Sequence, residues 1–362
     1  MLYVHIPFCH RKCTYCAFYS KATRGSLDFF VEALCREIEA REEPLRRVRT
    51  VYFGGGTPSL LSPAQLQKIW DCIGSCFDIS EAEECTIEAN PENLTPDYLS
   101  ALRAMGFNRL SIGIQSFRDA DLRRLNRVHS SVQAVEAIKA AQKAGFDNIS
   151  VDLIYGLPEQ SQEDWEENLR RVEQLGVQHL SCYALTVEEN TMLFRQLEQG
   201  RLAVATEEMV EAQYNALARW CEHSGFEQYE VSNFCKPGFH ARHNSRYWDR
   251  TPYLGFGPAA HSFDGSCRRW NVSDVERYIN ENIPFEKEVL SAEDAHNEYV
   301  MTSLRTSRGI EKRLVDPRFF PQLEKQIKKY ISAGLIAETA EAFRPTTEGL
   351  LHADGMAADL FV

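Results

Sequence analysis

Three closely spaced cysteines near the amino end are the residues in this sequence best suited to metal chemistry. Cys9, Cys13 and Cys16 are separated by three and two residues and follow a predicted strand. Three thiolates on one loop can bind a cubic iron–sulfur cluster, one iron each, because soft sulfur ligands suit iron–sulfur and zinc sites. The fourth iron would keep an open coordination position, which distinguishes a reactive metal site from a closed structural one.

The same spacing leaves two other interpretations open. A zinc ion could use the three cysteines together with His5 or His10, or the thiols could be reduced surface cysteines without a metal. The chain has eleven cysteines, and the other eight are scattered through sequence that reads as helix, strand or loop.

Composition excludes several classes of protein. The 362 residues are 44% hydrophobic and 25% charged, which is typical of a globular protein, and the net charge is −12. A chain this acidic is poorly suited to non-specific nucleic-acid binding, so we expect no nucleic-acid partner. No apolar run reaches the roughly 18 residues of a membrane-spanning helix, and the amino end lacks a secretory signal. We therefore expect a cytoplasmic protein with no membrane span, in a compartment where disulfides are rare.

Short β-rich runs alternate with longer helical patterns over the first two thirds of the chain. The predicted strands are Leu2 to Ile6, Thr50 to Phe53, Cys85 to Ala89, Arg109 to Ile114, Asn148 to Ile154 and Gln178 to Leu185. The predicted helices cover 27–42, 63–77, 96–105, 131–144, 161–175 and 205–223, with Thr95 as the N-cap of the third and Pro96 as its first residue. Such repetition predicts an α/β fold with a parallel sheet, either a barrel or an open doubly wound sheet, and the six units are two short of a complete eight-fold barrel.

The pattern changes after Glu230, which suggests a division of the chain into three parts. We expect a barrel over 1–232, an irregular connecting segment rich in aromatic and histidine residues over 233–290, and a small, mainly helical C-terminal domain over 291–362. The last part is small for an independent core, so we expect it to dock on the barrel.

The run Tyr3-Val4-His5-Ile6-Pro7-Phe8-Cys9, followed by Cys13, Tyr15 and Cys16, resembles radical S-adenosylmethionine proteins. The resemblance extends through almost the whole chain, including its C-terminal part, and together with the six strand–helix units it favours a partial (β/α)6 barrel. It is specific to the group that contains oxygen-independent coproporphyrinogen dehydrogenase and the HemW heme chaperones. It implies a 4Fe–4S cluster whose open iron is chelated by S-adenosylmethionine and which, when reduced, cleaves the sulfonium to give a carbon radical. The dehydrogenase has a further cysteine two residues after the third, and Phe18 at that position favours the HemW group.

Several residues at or near the ends of predicted strands could bind the cofactor. Gly55, Gly56 and Thr57 follow the second strand, where glycines let backbone amides approach a ligand and Thr57 adds a hydroxyl. A tight turn without a ligand is the alternative for these glycines. Polar side chains also lie in or beyond later strands at Glu88, Gln115, Arg127 and Asp152.

A carboxylate inside a strand needs a partner if it is buried. S-adenosylmethionine offers a carboxylate for Arg127 and an ammonium group and hydroxyls for the other polar residues. The resemblance implies these contacts, and it adds Tyr3 and Tyr15 from the cysteine motif. A structural ion pair between Glu88 and Arg127 is the alternative.

A later segment concentrates histidine and aromatic residues. His243-Asn244-Ser245-Arg246-Tyr247-Trp248 resembles the HNxxYW segment of the HemW group, and His261 follows in a glycine-rich stretch. Imidazoles beside aromatic side chains could ligate heme iron and pack against its macrocycle, so His243, His261, Tyr247 and Trp248 are the residues that could contact heme. A structural role for each histidine, with its ring nitrogens hydrogen-bonded inside the fold, is the alternative. We expect His5 to support the cysteine loop instead.

The resemblance implies a heme chaperone that carries a 4Fe–4S cluster and S-adenosylmethionine and transfers heme to an acceptor protein. Neither the acceptor nor an electron donor can be identified from the sequence, and no catalytic residue is assigned. Two alternatives remain: a radical enzyme of the coproporphyrinogen dehydrogenase type, which Phe18 disfavours, and a zinc-stabilised binding module, which would contain zinc and no iron or sulfide.

Overall fold

The structure, a computed structural model, describes residues 1–22, 27–41, 47–281 and 283–362. Six parallel strands, β1 to β6, lie in chain order in one sheet. Their bounds are Leu2–Ile6, Thr50–Gly55, Glu84–Ala89, Arg109–Gln115, Ile149–Tyr155 and His179–Ala184. This confirms the predicted partial (β/α)6 barrel, with strand ends displaced by a residue or two.

Helices connect successive strands. In chain order α1 to α8 are Leu27–Ala40, Pro63–Cys76, Pro96–Met105, Asp119–Arg124, Ser131–Lys143, Gln162–Leu175, Met192–Glu198 and Glu207–Ser224. The Thr95 side chain caps α3 by accepting a hydrogen bond from Tyr98 N, and Pro96 is the first helical residue, as predicted. The first predicted helix extended to residue 42, which lies outside the described residues.

Alternation along the strands separates an apolar layer from a polar barrel interior. In β1, Leu2, Val4 and Ile6 are fully buried in the main hydrophobic cluster with residues of the surrounding helices. Tyr3 and His5 alternate with them and therefore point the other way, into the barrel. Polar side chains of the strands thus line the interior of the barrel.

The barrel sheet is extended at both edges by short strands. β7 (Glu227–Glu230) and β8 (Asn233–Cys235) form an antiparallel pair that adds to β6. After α9 (Arg242–Trp248), β9 (Leu254–Phe256) pairs in parallel with β1 at the opposite edge. A separate antiparallel sheet contains β10 (His261–Phe263), β11 (Cys267–Asn271) and β12 (Phe285–Val289), with α10 (Val275–Asn280) before β12.

The segment 233–290 is therefore more regular than the sequence predicted. Its strands have three to five residues each, too short to give a clear alternation of apolar and polar positions. Pairing with the edges of the barrel sheet stabilises two of them, and such long-range pairing cannot be read from local periodicity.

The C-terminal part combines helices with a small sheet. The helices α11 to α14 are Ala292–Leu304, Phe320–Ser332, Thr347–Leu351 and Ala353–Asp359, and strands β13 to β15 are Ile310–Glu311, Ile336–Glu338 and Ala342–Pro345. It has its own hydrophobic cluster around Val300, Leu323 and Phe343. The Tyr214 hydroxyl of α8 donates a hydrogen bond to Thr347 O, so this part docks on the barrel as expected.

Among the described residues, no helix combines the length and the apolar character needed to cross a lipid bilayer.

Candidate functional site

The loop that carries the three cysteines, residues 9–16, lies beyond the carboxyl end of β1 and is fixed by backbone contacts. Cys9 N donates to Lys21 O at 3.1 Å, and Lys21 N donates to Pro7 O at 2.8 Å. The buried Thr14 joins the loop to the segment after α4, since its N donates to Leu125 O at 3.2 Å and its hydroxyl to Arg124 O at 3.0 Å. The loop is thus held in place on both sides of the cysteines.

A chain of side-chain hydrogen bonds joins the first cysteine to the second. The Thr57 hydroxyl donates to Cys9 Sγ at 3.6 Å, and Asn90 Nδ2 donates to Thr57 Oγ1 at 3.4 Å. Arg127 Nη2 donates to Asn90 Oδ1 at 2.6 Å, and Arg127 Nη1 donates to Cys13 Sγ at 3.5 Å. Sequence reasoning missed Asn90, although its position directly after β3 was a signal, because carboxyl ends of parallel strands surround the ligand site.

The arrangement of the three thiols fits a cluster better than a single ion. All three cysteines are free and half-buried. At least two of their three sulfurs lie more than 4.8 Å apart. Within the described residues, only Glu227, Cys235 and His240 bring three ligand atoms within that distance of one another. Sulfurs on one zinc ion would lie about 3.8 Å apart, given bonds of about 2.3 Å, whereas a cube places each sulfur on a different iron.

The environment of two of the thiols favours their protonated form. Burial raises the pKa of Cys9 and of Cys16, and the Thr57 hydroxyl acts in the opposite direction on Cys9. A metal that bound these two thiols would have to displace their protons.

His5 is not placed as a fourth ligand. Its Nδ1 lies 2.9 Å from the Tyr3 hydroxyl, and its Nε2 lies 3.4 Å from Tyr19 O. The contact with Tyr19 supports the segment after the cysteines, as expected.

The glycines after β2 permit a close approach of two segments. Gly55 has φ +112°, and a Cβ there would lie 2.5 Å from a His5 ring carbon. A Cβ on Gly56 would lie 2.6 Å from Phe8 O, and Gly56 N donates to Ile6 O at 2.8 Å. Glycine at both positions lets the end of β2 pack directly against the chain that leads to Cys9.

Glu88 lies at the carboxyl end of β3, beside these glycines. Its carboxylate accepts hydrogen bonds from the Tyr52 hydroxyl at 2.8 Å and from Gly55 N at 3.0 Å. Burial raises the pKa of Glu88 to about 7, with the negative charge of Asp152 acting in the same direction. A cationic ammonium group would relieve this cost, so the site fits that part of S-adenosylmethionine.

Asp152 and Gln115 come from the two following strands. Asp152 accepts a hydrogen bond from the Ser111 hydroxyl at 3.2 Å, and burial raises the pKa of its carboxyl. Gln115 ends β4 with φ +70°, where the pairing between β4 and β5 shifts by one residue. The shift turns its side chain back towards Gly113, since a Cβ on that glycine would lie 3.0 Å from Gln115 Nε2.

Glu88 and Arg127 do not form the ion pair considered as an alternative. Among the described residues, no ion pair with a nitrogen–oxygen distance of 4.0 Å or less includes Glu88 or Arg127. Arg127 Nη2 instead donates to Gly113 O at 2.6 Å, and its buried Nε has no hydrogen-bond partner. A guanidinium with an unused donor beside the cysteine loop fits a carboxylate ligand.

The two predicted tyrosine contacts occupy different depths. Tyr15 packs in a small apolar cluster with Leu125, Ile154 and Leu157, and burial raises the pKa of its hydroxyl. Tyr3 lies deeper in the barrel, with its ring stacked on Tyr52 at a centroid distance of 6.0 Å. Tyr15 therefore lies next to the cysteines, whereas Tyr3 is connected to the site indirectly, through its contacts with His5 and Tyr52.

The structure gives His243 a structural environment. The residue is fully buried in α9, its Nδ1 lies 2.9 Å from the Thr50 hydroxyl, and its Nε2 lies 3.1 Å from the hydroxyl of Tyr247, one turn later in the same helix. Burial lowers the pKa of His243 to about 3, so the ring is neutral. Neither nitrogen is free for iron, and heme ligation by His243 is not proposed further.

The other three residues of this region remain more accessible. His261 is exposed, its ring stacks on Trp270 at 5.8 Å, and no hydrogen bond to its ring nitrogens is found among the described residues. Trp248 is half-buried, with the Arg305 guanidinium 5.5 Å from its ring centroid and its buried Nε1 without a partner. The Tyr247 hydroxyl is bound to His243, so Tyr247 offers a heme only its ring.

Two regions of the chain match models of known protein families. Residues 3–172 match the model of the radical SAM superfamily, and residues 290–352 match the HemN C-terminal domain. The first region contains the three cysteines and all the predicted cofactor contacts.

Relatives match over most of the chain. The heme chaperone HemW of Lactococcus lactis is 33% identical over 96% of this chain and 93% of its own length, and that of Mycobacterium tuberculosis is 38% identical over 85% and 82%. The structure of coproporphyrinogen III oxidase (HemN) from Escherichia coli has a TM-score of 0.86 at 26% identity, covering 100% of this chain and 89% of that chain. The chain belongs to the radical SAM superfamily and, within it, to the HemW family.

Proposed function

We propose that this protein binds heme and transfers it to an acceptor protein, and that it carries a 4Fe–4S cluster and S-adenosylmethionine. The observation that carries the proposal is the match, over nearly the full length, to relatives named heme chaperone HemW. A cytoplasmic location is part of the proposal, and the free state of all eleven cysteines supports it, because disulfides are rare in that compartment.

Cys9, Cys13 and Cys16 would hold the cluster, and the strand ends would hold S-adenosylmethionine. Arg127 would bind its carboxylate, Glu88 its ammonium group, and Gln115 and Asp152 its remaining polar groups. The bound pair supplies one-electron chemistry, which the side chains of this chain cannot perform. The protein contributes the orientation: Thr57 and Asn90 connect the first cysteine to the arginine that holds the ligand.

Heme would bind near α9 and the β10–β11 sheet. His261 offers an exposed imidazole without hydrogen bonds among the described residues, and Trp248 and Tyr247 offer aromatic surface. These three residues remain proposals for heme contact.

Oxidative decarboxylation of coproporphyrinogen is the second function considered, because of the similarity to the Escherichia coli oxidase structure. The side chain of Phe18 is 73% exposed beside the cysteine loop. It occupies the place at which that enzyme type carries a further cysteine, and a phenyl ring provides neither a thiolate nor a proton. This supports the chaperone over the dehydrogenase.

The test is a heme titration and an activity assay on one anaerobically reconstituted sample, after iron and sulfide analysis. The chaperone should contain iron and sulfide, take up heme, release it to an apo-hemoprotein and leave coproporphyrinogen unchanged. Decarboxylation without heme uptake would support the dehydrogenase. Stoichiometric zinc at the cysteine loop with no iron or sulfide would support the zinc-stabilised module and defeat both other functions.

A further inference from the structure

We propose that Glu227, Cys235 and His240 form a second metal site that binds a zinc-class divalent cation. One ligand atom from each residue lies within 4.8 Å of the other two. His240 Nε2 is 3.3 Å from Glu227 Oε1. These residues belong to neither the cysteine loop nor the proposed cofactor and heme contacts.

The hairpin of β7 and β8 supplies two of the three proposed ligands. Glu227 and Cys235 are directly opposite each other in the antiparallel pair, so their side chains project from the same face of the sheet. β7 is the terminal strand of the barrel sheet, and Glu227, its first residue, is exposed to solvent.

A tight turn after β8 supplies the third ligand. Phe239 N donates to Lys236 O at 3.0 Å, and Gly238, with φ +87°, follows Pro237 at the centre of the turn. Proline followed by a glycine with positive φ is the sequence preference of a type II turn. The turn reverses the chain, so that His240 returns to the side of Cys235.

The donor set matches the chemistry of zinc. A thiolate, an imidazole and a carboxylate are the three ligand types that zinc uses, and three protein ligands with one open position are typical of reactive zinc sites. Zn–N and Zn–O bonds of about 2.0 to 2.1 Å at a tetrahedral angle place the two atoms about 3.3 Å apart. The distance between His240 and Glu227 has this value before any metal binds.

Cys235 distinguishes the site from a surface ion pair. A surface ion pair would need only His240 and Glu227. Here the sulfur of Cys235, a fully buried residue, also lies within 4.8 Å of the ligand atoms of both. Burial and the negative charge of Glu227 raise the pKa of the Cys235 thiol to about 12, whereas the Phe239 N–H acts in the opposite direction. Binding exchanges one proton for the metal: the S–H bond breaks, the S–metal bond forms, and the proton passes to solvent.

The site lies at the opposite end of the barrel from the cysteine loop. Cys235 also pairs with His179, the first residue of β6, whereas the cysteine loop follows the last residue of β1. His240 packs edge-on against Tyr229 at 4.6 Å, and Ala241 N donates to the Tyr229 hydroxyl at 3.3 Å. A metal here would fix the start of α9, the helix that carries the aromatic residues proposed for heme contact.

The test uses the full-length chain with Cys9, Cys13 and Cys16 all changed to Ala, so that these thiols cannot bind zinc. After equilibration with Zn²⁺ and desalting, we expect one tightly bound zinc per chain. Co²⁺ in its place should give the absorption of a thiolate–cobalt bond. In this background Cys235→Ser and His240→Gln should each weaken zinc binding by roughly tenfold or more.

Matched controls come from α8. Cys221→Ser changes another buried thiol and His223→Gln another imidazole that reaches solvent, and both should leave zinc affinity unchanged. His240 is partly exposed, so His240→Gln separates ligand loss from unfolding, which far-ultraviolet circular dichroism would report for Cys235→Ser. The proposal is overturned if the background protein retains no zinc, or if His240→Gln and Cys235→Ser retain it as the controls do. The result does not depend on heme binding or on the cluster.

Discussion

The guanidinium of Arg127 donates a hydrogen bond to the sulfur of Cys13 across 3.5 Å, although 114 residues separate them in the chain. This contact places a positive charge between the cysteine loop and the ends of β3 and β4. The proposed function assigns Cys13 to the cluster and Arg127 to S-adenosylmethionine, so a residue for each of the two ligands is in direct contact with a residue for the other.

Cys13→Ala should abolish cluster assembly. Three irons of the cube each need one thiolate ligand, and only Cys9 and Cys16 would remain. Iron and sulfide analysis after anaerobic reconstitution measures the loss. Cys76→Ala in α2 is the control and should retain full iron and sulfide. Full retention in Cys13→Ala would remove this residue from the site.

Arg127→Ala should weaken S-adenosylmethionine binding by roughly tenfold to a hundredfold, the value of a hydrogen bond to a charged group. Calorimetric titration of the reconstituted protein gives the affinity, and the iron content should stay unchanged. Arg123→Ala, which changes an exposed arginine of α4, should bind as the wild type does. Equal affinities for the two variants would contradict the assignment.

Glu88 should make the free protein less stable as the pH rises. Its pKa is about 7 in the folded state against an ordinary value of 4.5, so the folded state binds more protons between these two pH values. The contribution of Glu88 to the free energy of unfolding is therefore largest below about pH 4.5. It decreases as the pH rises through about 7, by up to about 3 kcal/mol. Urea unfolding across this range should show a weaker decline in Glu88→Gln.

The control for this pH dependence is Glu173→Gln, which changes an exposed carboxylate of α6. It should keep the decline of the wild type. A decline of the same size in Glu88→Gln would show that Glu88 is ionised in the folded state throughout this range.

Gly55→Ala should destabilise the protein through a steric clash with His5. The control is Gly145→Ala, because Gly145 also has a positive φ of +86° but nothing lies within 4 Å of an added Cβ. Both variants have backbone strain, so their difference isolates the clash, which should cost a further ~1 to 3 kcal/mol, the usual cost of overpacking. Equal free energies of unfolding would mean that His5 moves aside freely.

His261→Ala should lower heme affinity and change the absorption spectrum of the bound heme, because it removes an exposed imidazole. His223→Ala, in α8, changes an exposed histidine remote from α9 in sequence and should leave the spectrum unaltered. If both variants bind heme with the wild-type spectrum, another residue ligates the iron.

Local sequence signals were sufficient for the six parallel strands and for six of the eight helices of the barrel, whereas the short helices α4 and α7 were not predicted. Helix α3 begins at Pro96 as predicted, because Thr95 and Pro96 act on backbone groups within one turn. The short strands β8 and β9 were not predicted. Each depends on pairing with β6 or β1, which are distant in the sequence, and three residues carry too little alternation to reveal a strand.

Histidine and cysteine roles were decided by burial and by neighbours, which the sequence does not contain. Nothing in the sequence distinguished His243 from His261 as a heme ligand. The structure buries His243 between Thr50 and Tyr247 and leaves His261 exposed against Trp270. In the same way Cys235 was one of eight scattered cysteines until the hairpin placed it opposite Glu227.

The sequence by itself determined the three closely spaced thiols, the order of the six parallel strands and of the longer helices between them, and the polar residues at the strand ends, because each depends on residue type and short spacing. The tertiary structure alone decided that Asn90 joins Thr57 to Arg127, that His243 is enclosed, and that Glu227, Cys235 and His240 converge. Such contacts depend on strand register and on how segments pack, and a shift of one residue in a strand would turn each side chain to the other face.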